Sequence, residues 1–171
     1  MHCYGRERLH SKRLPSSRLV PEAPPPTSPQ ASIAMRGNKR KDTRPELAVR
    51  KALTALGYRY RLHSSDLPGR PDIVFRGRRI AIFVHGCFWH QHSNVKCHLR
   101  GKPRSNLRYW EAKLARNVRR DREDIDALTS AGWHVVVVWE CETQSPSTIA
   151  RALAEVLTER RPKPMKPKPK L

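Results

Sequence analysis

The chain has 171 residues and a formal net charge of +20, which is enough length for one domain with tails. No apolar run is long enough to span a membrane, and the N-terminus lacks the apolar segment of a signal peptide. These observations argue against a membrane or secreted protein. We expect a cytoplasmic, nucleoid-associated protein, because the charge indicates a polyanionic partner.

The positive charge is spread over three segments. Residues 1–34 contain six prolines and a net +3, and we expect them to form a disordered extension. Residues 160–171 alternate Pro with basic residues, carry +6 and predict an extended basic tail. The remaining +11 lies on residues 35–159, the predicted folded domain. A basic folded domain favours a surface that follows phosphates.

The predicted elements begin with a helix after Thr43, which together with Glu46 forms a capping box. On this evidence Glu46 is structural. Apolar residues recur at helical spacing as far as Leu56, and Gly57 ends the helix. Three strands are then predicted over residues 58–62, 72–75 and 80–84, the last two joined by a turn at 76–79.

A long helix is predicted over residues 106–130, with an apolar stripe of Leu107, Trp110, Leu114, Val118, Ile125 and Leu128. Asp121 falls on the same stripe, where an acid requires a partner or a function. Residues 133–139 predict a buried strand, and residues 147–158 a last helix. The order predicts an α/β fold, with a mixed sheet flanked by helices.

Asp72 stands at the start of a predicted strand, directly after Pro71. Metal-dependent nucleases use a carboxylate fixed at a strand end to hold a hard cation. Pro-Asp is also common in ordinary turns. The histidine-rich segment that follows the next strand favours the nuclease interpretation.

Cys87, His92, Cys97 and Cys141 form a candidate zinc site. The first three are evenly spaced along one loop, and the fourth follows a distant strand. Four soft or borderline ligands favour zinc over magnesium, and a closed set makes the zinc structural. His98 is a rival for His92 or Cys97. The alternative is that the cysteines are free core thiols.

His85 and His90 remain after these assignments. An imidazole beside a metal site can accept or deliver a proton near neutral pH. The alternative role for either ring is structural, with a hydrogen bond to the backbone.

Three aromatic residues lie close to these motifs. Phe88 and Trp89 flank a candidate zinc ligand, and Trp110 opens the long helix. Aromatic wedges unstack base steps and kink a duplex. Most aromatic residues are core, however, and Trp110 lies on the apolar stripe. Phe88 and Trp89 are therefore the better wedge candidates.

Taken together, these residues resemble the very short patch repair endonucleases of bacteria. The similarity rests on order and spacing across five segments and covers roughly residues 35–145. The segments are DTRPE (42–46), LPGRPD (67–72), HGCFWH (85–90), NVRRD (117–121) and GWHVVVVWEC (132–141).

The resemblance implies a restriction-endonuclease-like fold and a magnesium-dependent nick 5′ to the thymine of a T·G mismatch. It also implies that double-stranded DNA is the substrate and that the enzyme acts as a monomer. Because such mismatches arise when 5-methylcytosine deaminates, a cytosine-5 DNA methyltransferase is the expected companion. Mismatch-repair proteins are further candidate partners.

The resemblance also assigns residues. Asp72 is the main Mg²⁺ ligand, with Glu46, His85, His90 and Asp121 in the active site. Cys87, His92, Cys97 and Cys141 match the structural zinc ligands, and Phe88, Trp89 and Trp110 match the intercalating aromatics. Val84 stands where some members have Thr, which is harmless if only its backbone carbonyl binds Mg²⁺. The 92–97 stretch is longer than in some members, and residues 1–34 have no recognised counterpart.

Two other functions remain open at the level of sequence. One is a zinc-bearing DNA-binding module without catalysis. The other is a nuclease of the same fold that cuts a different DNA substrate. The flanking sequence preference is not encoded in any of these motifs.

Overall fold

The computed structural model describes residues 22–24 and 41–154. Most of the predicted 1–34 extension, the predicted 160–171 tail and the end of the last predicted helix lie outside these residues. Within them, three α-helices and four β-strands follow one another along the chain. They are α1 (Arg44–Ala55), β1 (Arg61–Leu62), β2 (Ile73–Phe75), β3 (Ile80–His85), α2 (Leu107–Ser130), β4 (His134–Trp139) and α3 (Pro146–Ala152).

The strands form one mixed sheet in the order β1-β2-β3-β4. β1 and β2 are antiparallel, as are β2 and β3, whereas β3 and β4 are parallel from the Ile80–His134 pair to the His85–Trp139 pair. The parallel pair requires a crossover connection, and α2 lies within it. The predicted mixed sheet with helices is confirmed.

Each face of the sheet packs against helices. α1 and α3 cover one face, where Val49, Leu53, Ile82, Val138 and Ile149 form part of a buried cluster. α2 covers the other face through Leu128, which packs against residues such as Val74 and Phe83. Side chains alternate along β3, so His85 continues the series of Ala81 and Phe83 toward α2.

The N-cap predicted at Thr43 is confirmed, but the second half of the predicted capping box differs, because the Glu46 carboxylate accepts from the N–H of Asp42 and not from that of Thr43. The Thr43 hydroxyl accepts a hydrogen bond from the Glu46 N–H, and the Glu46 carboxylate accepts one from the Asp42 N–H at 3.0 Å. Pro45 lies in the first turn, where its missing N–H leaves no partner unsatisfied.

Three details differ from the sequence-based prediction. β1 has only two residues, because the segment before it packs Tyr58 and Tyr60 against Phe75 instead of pairing.

On α2, Leu107 and Val118 are exposed, and Tyr109 is buried where Trp110 was expected. α2 is 24 residues and about 36 Å long, so much of it extends past the short sheet. β4 alternates between buried and half-buried positions, because it is the last strand of the described sheet.

No helix of residues 22–24 and 41–154 is long and apolar enough to cross a membrane.

The loop before β2 packs tightly against α2 at Gly69. This residue has φ +68°, and an added Cβ would lie 2.8 Å from the Asp124 Cβ and 3.0 Å from the Phe83 ring. Replacing Gly69 by Ala should therefore destabilise the fold by about 1–3 kcal/mol, through overpacking and backbone strain. Urea denaturation measures this difference.

Gly77→Ala is the matched control. No atom of residues 22–24 and 41–154 lies within 4 Å of a Cβ built at this position, and its φ is not in the left-handed region. Equal free energies of unfolding for the two variants would show that the loop is not held against α2.

Candidate active site and metal centre

The start of β2 and the end of β3 bring Asp72 and Val84 together. The Val84 N–H donates a hydrogen bond to Asp72 Oδ2 at 2.7 Å. The β2–β3 register, with Ile73 opposite Ile82, sets Pro71 opposite Val84. The Asp72 side chain thus accepts the hydrogen bond of the Val84 N–H at the point where regular strand pairing ends.

The Val84 carbonyl points toward the same side as its N–H, because both groups of a strand residue face the same neighbour. The residue opposite is Pro71, which has no N–H to donate. A carboxylate and a backbone carbonyl therefore lie side by side at the strand end. Both are hard oxygen donors of the kind that Mg²⁺ prefers.

His85, His90 and Asp121 form the second part of the site. The His85 and His90 rings stack with centroids 3.9 Å apart and planes 8° apart. His90 Nδ1 lies 2.5 Å from Asp121 Oδ2. The carboxylate of α2 therefore fixes the tautomer of His90 and leaves Nε2 of that ring for other contacts. The acid on the apolar stripe does have a partner.

Burial changes the protonation behaviour of these groups. Loss of solvent raises the pKa of Asp72 to about 6, and the nearby Glu46 carboxylate adds to the rise. Burial lowers the pKa of His85 to about 3, so this ring stays neutral at physiological pH. For Asp121, burial acts to raise the pKa, but the hydrogen bond and charge of His90 outweigh it and hold the pKa below its usual value.

A separate group of four side chains lies behind the histidine loop. One ligand atom from each of Cys87, His92, Cys97 and Cys141 lies within 4.8 Å of all the others. His92 Nδ1 is 3.8 Å from Cys87 Sγ and 3.5 Å from Cys141 Sγ. Ligands at tetrahedral zinc lie about 3.5–3.8 Å apart, given metal–ligand bonds of 2.0–2.3 Å. The cluster fits such an ion.

The chemistry of this cluster also favours a cation. Burial raises the pKa of the Cys87 thiol to about 12, so its thiolate form needs a positive charge beside it. The His92 ring is buried and stacks on Trp139 with centroids 4.3 Å apart. His98, the rival ligand, is exposed and outside the cluster.

The aromatic residues singled out in the sequence form one surface cluster. Ring centroids are 5.1 Å apart for Phe88 and Trp89, 5.5 Å for Phe88 and Trp110, and 5.8 Å for Trp89 and Trp110. All three are partly exposed. The Lys113 ammonium lies 5.5 Å from the centroid of the Trp89 ring and 5.2 Å from that of Trp110. The cluster therefore combines exposed aromatic rings from the loop after β3 and from α2 with the positive charge of Lys113.

Sequence reasoning missed two residues near Asp72. Arg50 Nη2 bonds Glu46 Oε2 at 3.0 Å and lies 2.9 Å from His63 Nε2, and His63 Nδ1 is 3.9 Å from Asp72 Oδ1. The available signal was the spacing of Glu46 and Arg50, one helical turn apart. Nothing in the sequence placed His63 beside them.

Comparison with known proteins shows the family to which the chain belongs. The family model described as DNA mismatch endonuclease Vsr matches residues 26–96. The chain is 49% identical to the type II nicking enzyme V.XorIIP of Xanthomonas oryzae pv. oryzae, over 68% of this chain and 84% of the relative. It is 40% identical to the DNA mismatch endonuclease Vsr of Escherichia coli strain K12, over 74% of this chain and 77% of that protein.

These matches make the protein a DNA endonuclease, a hydrolase of phosphodiester bonds. Within that class, it belongs to the DNA mismatch endonuclease Vsr family, because its relatives exceed 30% identity over most of their lengths.

The raised pKa of Asp72 predicts a pH-dependent effect on stability. The unfolded chain ionises Asp72 near pH 3.8 and the folded protein near pH 6, so stability falls as pH rises between these values. Without added divalent cations, Asp72→Asn should be more stable than the wild type at pH 7 by about 1–3 kcal/mol. The gain should vanish near pH 4.

Denaturant titrations at pH 4 and pH 7 measure this gain. The Asn side chain keeps an oxygen to accept the Val84 N–H, so the hydrogen bond is conserved in the variant. A variant less stable than the wild type at pH 7 would contradict the prediction.

Proposed function

We propose that this protein is a magnesium-dependent mismatch endonuclease. It nicks duplex DNA 5′ to the thymine of a T·G mismatch and so begins very short patch repair. The observation that supports this most is the arrangement at the ends of β2 and β3. There the Asp72 carboxylate accepts the Val84 N–H, and His90, on the loop that follows β3, is hydrogen-bonded to Asp121 next to the aromatic surface cluster. The fold is, in this proposal, the restriction-endonuclease-like one.

Asp72 and the Val84 carbonyl would hold Mg²⁺. Two hard oxygens, one from the Asp72 carboxylate and one from the Val84 carbonyl, are available at the strand end, and the carbonyl is opposite Pro71. Burial raises the pKa of Asp72, and a bound cation would lower that pKa again. When bound, Mg²⁺ supplies Lewis-acid stabilisation of the charge that develops on the scissile phosphate.

His90 would transfer the proton in the reaction. It is the imidazole bonded to Asp121, and that carboxylate stabilises the ring when it is charged. His85, buried, neutral and stacked on His90, would accept hydrogen bonds from ordered water and hold the ring of His90 in place. Glu46 would contribute indirectly, because its carboxylate accepts a hydrogen bond from Arg50.

The four-residue cluster of Cys87, His92, Cys97 and Cys141 would hold a structural zinc. Such an ion would tie the loop after β3, which includes Phe88, Trp89 and His90, to the segment after β4. Its role is therefore to fix the positions of the catalytic histidine and of the aromatic cluster.

Phe88, Trp89 and Trp110 would intercalate beside the mismatch. A T·G pair stacks poorly, so opening the step next to it is easier than opening a matched step. Unstacking costs a few kcal/mol and is offset by base–aromatic stacking of roughly 1–3 kcal/mol per base. The excess of basic residues adds attraction to phosphates that is independent of sequence.

The substrate suggests the protein's setting. T·G mismatches form when 5-methylcytosine deaminates, so a cytosine-5 DNA methyltransferase is the proposed functional companion. We place the protein on bacterial DNA in the cytoplasm, as a monomer, with mismatch-repair proteins as further candidate partners.

Loss of Asp72 tests the catalytic assignment. Asp72→Asn should abolish Mg²⁺-dependent nicking of a T·G duplex, because the cation loses its charged ligand. Binding of the same duplex, measured without divalent cations, should be almost unchanged. Single-turnover gel assays measure the first quantity and a mobility shift the second. Nicking at the wild-type rate would place the active site elsewhere.

The zinc assignment predicts about one zinc ion per chain, measured by elemental analysis of the purified protein. Cys141→Ser should lower both the zinc content and the midpoint of thermal unfolding, because metal binding stabilises only the folded state. His98→Ala is the matched control, since His98 lies outside the cluster. Purified protein with no stoichiometric zinc would contradict the assignment.

The aromatic cluster predicts a separable effect on substrate choice. Replacing Phe88 and Trp89 with Ala should reduce the preference for T·G over T·A duplexes at least about tenfold, because stacking on both rings is lost. The dependence of binding on salt should stay nearly unchanged. Removal of residues 160–171 should instead weaken the binding of the T·G and T·A duplexes alike and leave the preference between them unchanged. Full discrimination by a folded Phe88–Trp89 double variant would show that these rings do not recognise the mismatch.

A further inference from the structure

A guanidinium, that of Arg50, lies at the centre of the polar network behind Asp72, with 11% of its side chain exposed. Arg50 Nη1 bonds Asp42 Oδ1 at 2.5 Å, and Nη2 bonds Glu46 Oε2 at 3.0 Å and lies 2.9 Å from His63 Nε2. Asp42, Glu46 and His63 are close enough to one another to hold a metal ion, but the Arg50 guanidinium already contacts all three. The positive charge at the centre of this network is therefore the Arg50 guanidinium and not a metal ion.

The guanidinium determines which nitrogen of His63 carries the proton. Arg has only donors, so the contact from Arg50 Nη2 requires His63 Nε2 to be the acceptor. The ring proton of the neutral imidazole is then on Nδ1. That nitrogen faces Asp72 Oδ1 at 3.9 Å.

The two oxygens of Asp72 therefore meet different groups. Oδ2 accepts the Val84 N–H at 2.7 Å, and Oδ1 faces the His63 Nδ1–H. The second contact is longer than a hydrogen bond, and a movement of about 1 Å would turn it into one. The backbone supports this approach, because the His63 N–H donates to the Asp72 carbonyl at 3.2 Å.

The local backbone of His63 is strained. Its φ is +46°, in the left-handed region that residues other than glycine rarely adopt. Such conformations persist where surrounding contacts hold them, and here those contacts are the Arg50 hydrogen bond and the backbone pairing with Asp72. The same contacts keep the ring between Arg50 and Asp72.

We propose that Arg50 and His63 are positioning residues for the catalytic metal ligand. Arg50 holds His63 in its Nδ1–H tautomer, and His63 holds the Asp72 carboxylate in the orientation that receives the cation. This inference rests on the proposed role of Asp72 as a Mg²⁺ ligand. Partners of this kind typically change metal affinity or activity about 10–100-fold when they are lost.

Two substitutions separate positioning from simple structural support. The Asn amide lies near the place of His Nδ1 and can donate to Asp72, whereas the Gln amide lies near the place of Nε2 and keeps the contact with Arg50. The Mg²⁺ concentration for half-maximal nicking should rise about tenfold or more in His63→Ala and His63→Gln. In His63→Asn it should stay close to the wild-type value. Saturating Mg²⁺ should restore most of the rate in His63→Ala.

A structural role for His63 predicts the reverse order. His63→Gln, which keeps the Arg50 contact, would then behave like the wild type, and His63→Asn would be the defective variant. That order, or unchanged Mg²⁺ dependence in His63→Ala, would overturn the inference. His134→Ala, an exposed histidine at the opposite end of the sheet, is the matched control.

Two measurements do not depend on activity. Nitrogen NMR of the imidazole should find the His63 proton on Nδ1 in the wild type, and a proton on Nε2 would refute the tautomer. Without DNA, the rise in melting temperature with added Mg²⁺ should require several-fold more Mg²⁺ in His63→Ala than in the wild type. An identical rise in both proteins would refute the effect of His63 on the cation.

Asp72→Asn distinguishes a failure of the proposed function from a failure of the positioning role of His63. If this variant nicks normally, the proposed function itself fails. If it is inactive at every Mg²⁺ concentration while His63→Ala titrates like the wild type, only the positioning role fails.

Discussion

The parallel pairing of β3 with β4 is the constraint on which the rest of the structure depends. Parallel strands end at the same edge of a sheet, so the segments that follow β3 and β4 meet there. The end of β3 and the loop after it bring His85, Cys87 and His90, and the segment after β4 brings Cys141. Because the connection must cross the sheet, α2 lies over one face and places Asp121 beside His90. One pairing thus assembles the histidine–carboxylate pair and the four-residue cluster.

The antiparallel β2–β3 pair completes the site from the other side. Pro71 ends regular pairing, and Asp72 takes over the Val84 N–H with its side chain. The β2–β3 register that ends the strand pairing at Pro71 therefore also places the Asp72 carboxylate beside the backbone of Val84. Neither a rigid loop nor a second domain is needed to bring these groups together, since the hydrogen-bond pattern of two short strands is sufficient.

Much of this could be predicted from the sequence where local pattern and chemistry agree. The Thr43 N-cap located the start of α1, and the position of Asp121 on an apolar stripe signalled a partner, which is His90. The exposure of Leu107 and Val118 could not be predicted, because it depends on how far α2 extends past the sheet. Arg50 and His63 were missed for a similar reason. Their contact joins a helix to the end of a two-residue strand with an unusual φ, and neither motif nor spacing encodes it.

We propose that this strand-end site cuts DNA at a T·G mismatch. The most direct measurement maps nicks on end-labelled duplexes that differ only at one base pair, T·G, T·A or C·G, each with and without Mg²⁺. We expect a single Mg²⁺-dependent nick 5′ to the mismatched thymine and little cutting of the matched duplexes. Equal cutting of all three duplexes, or a nick that needs no divalent cation, would contradict it.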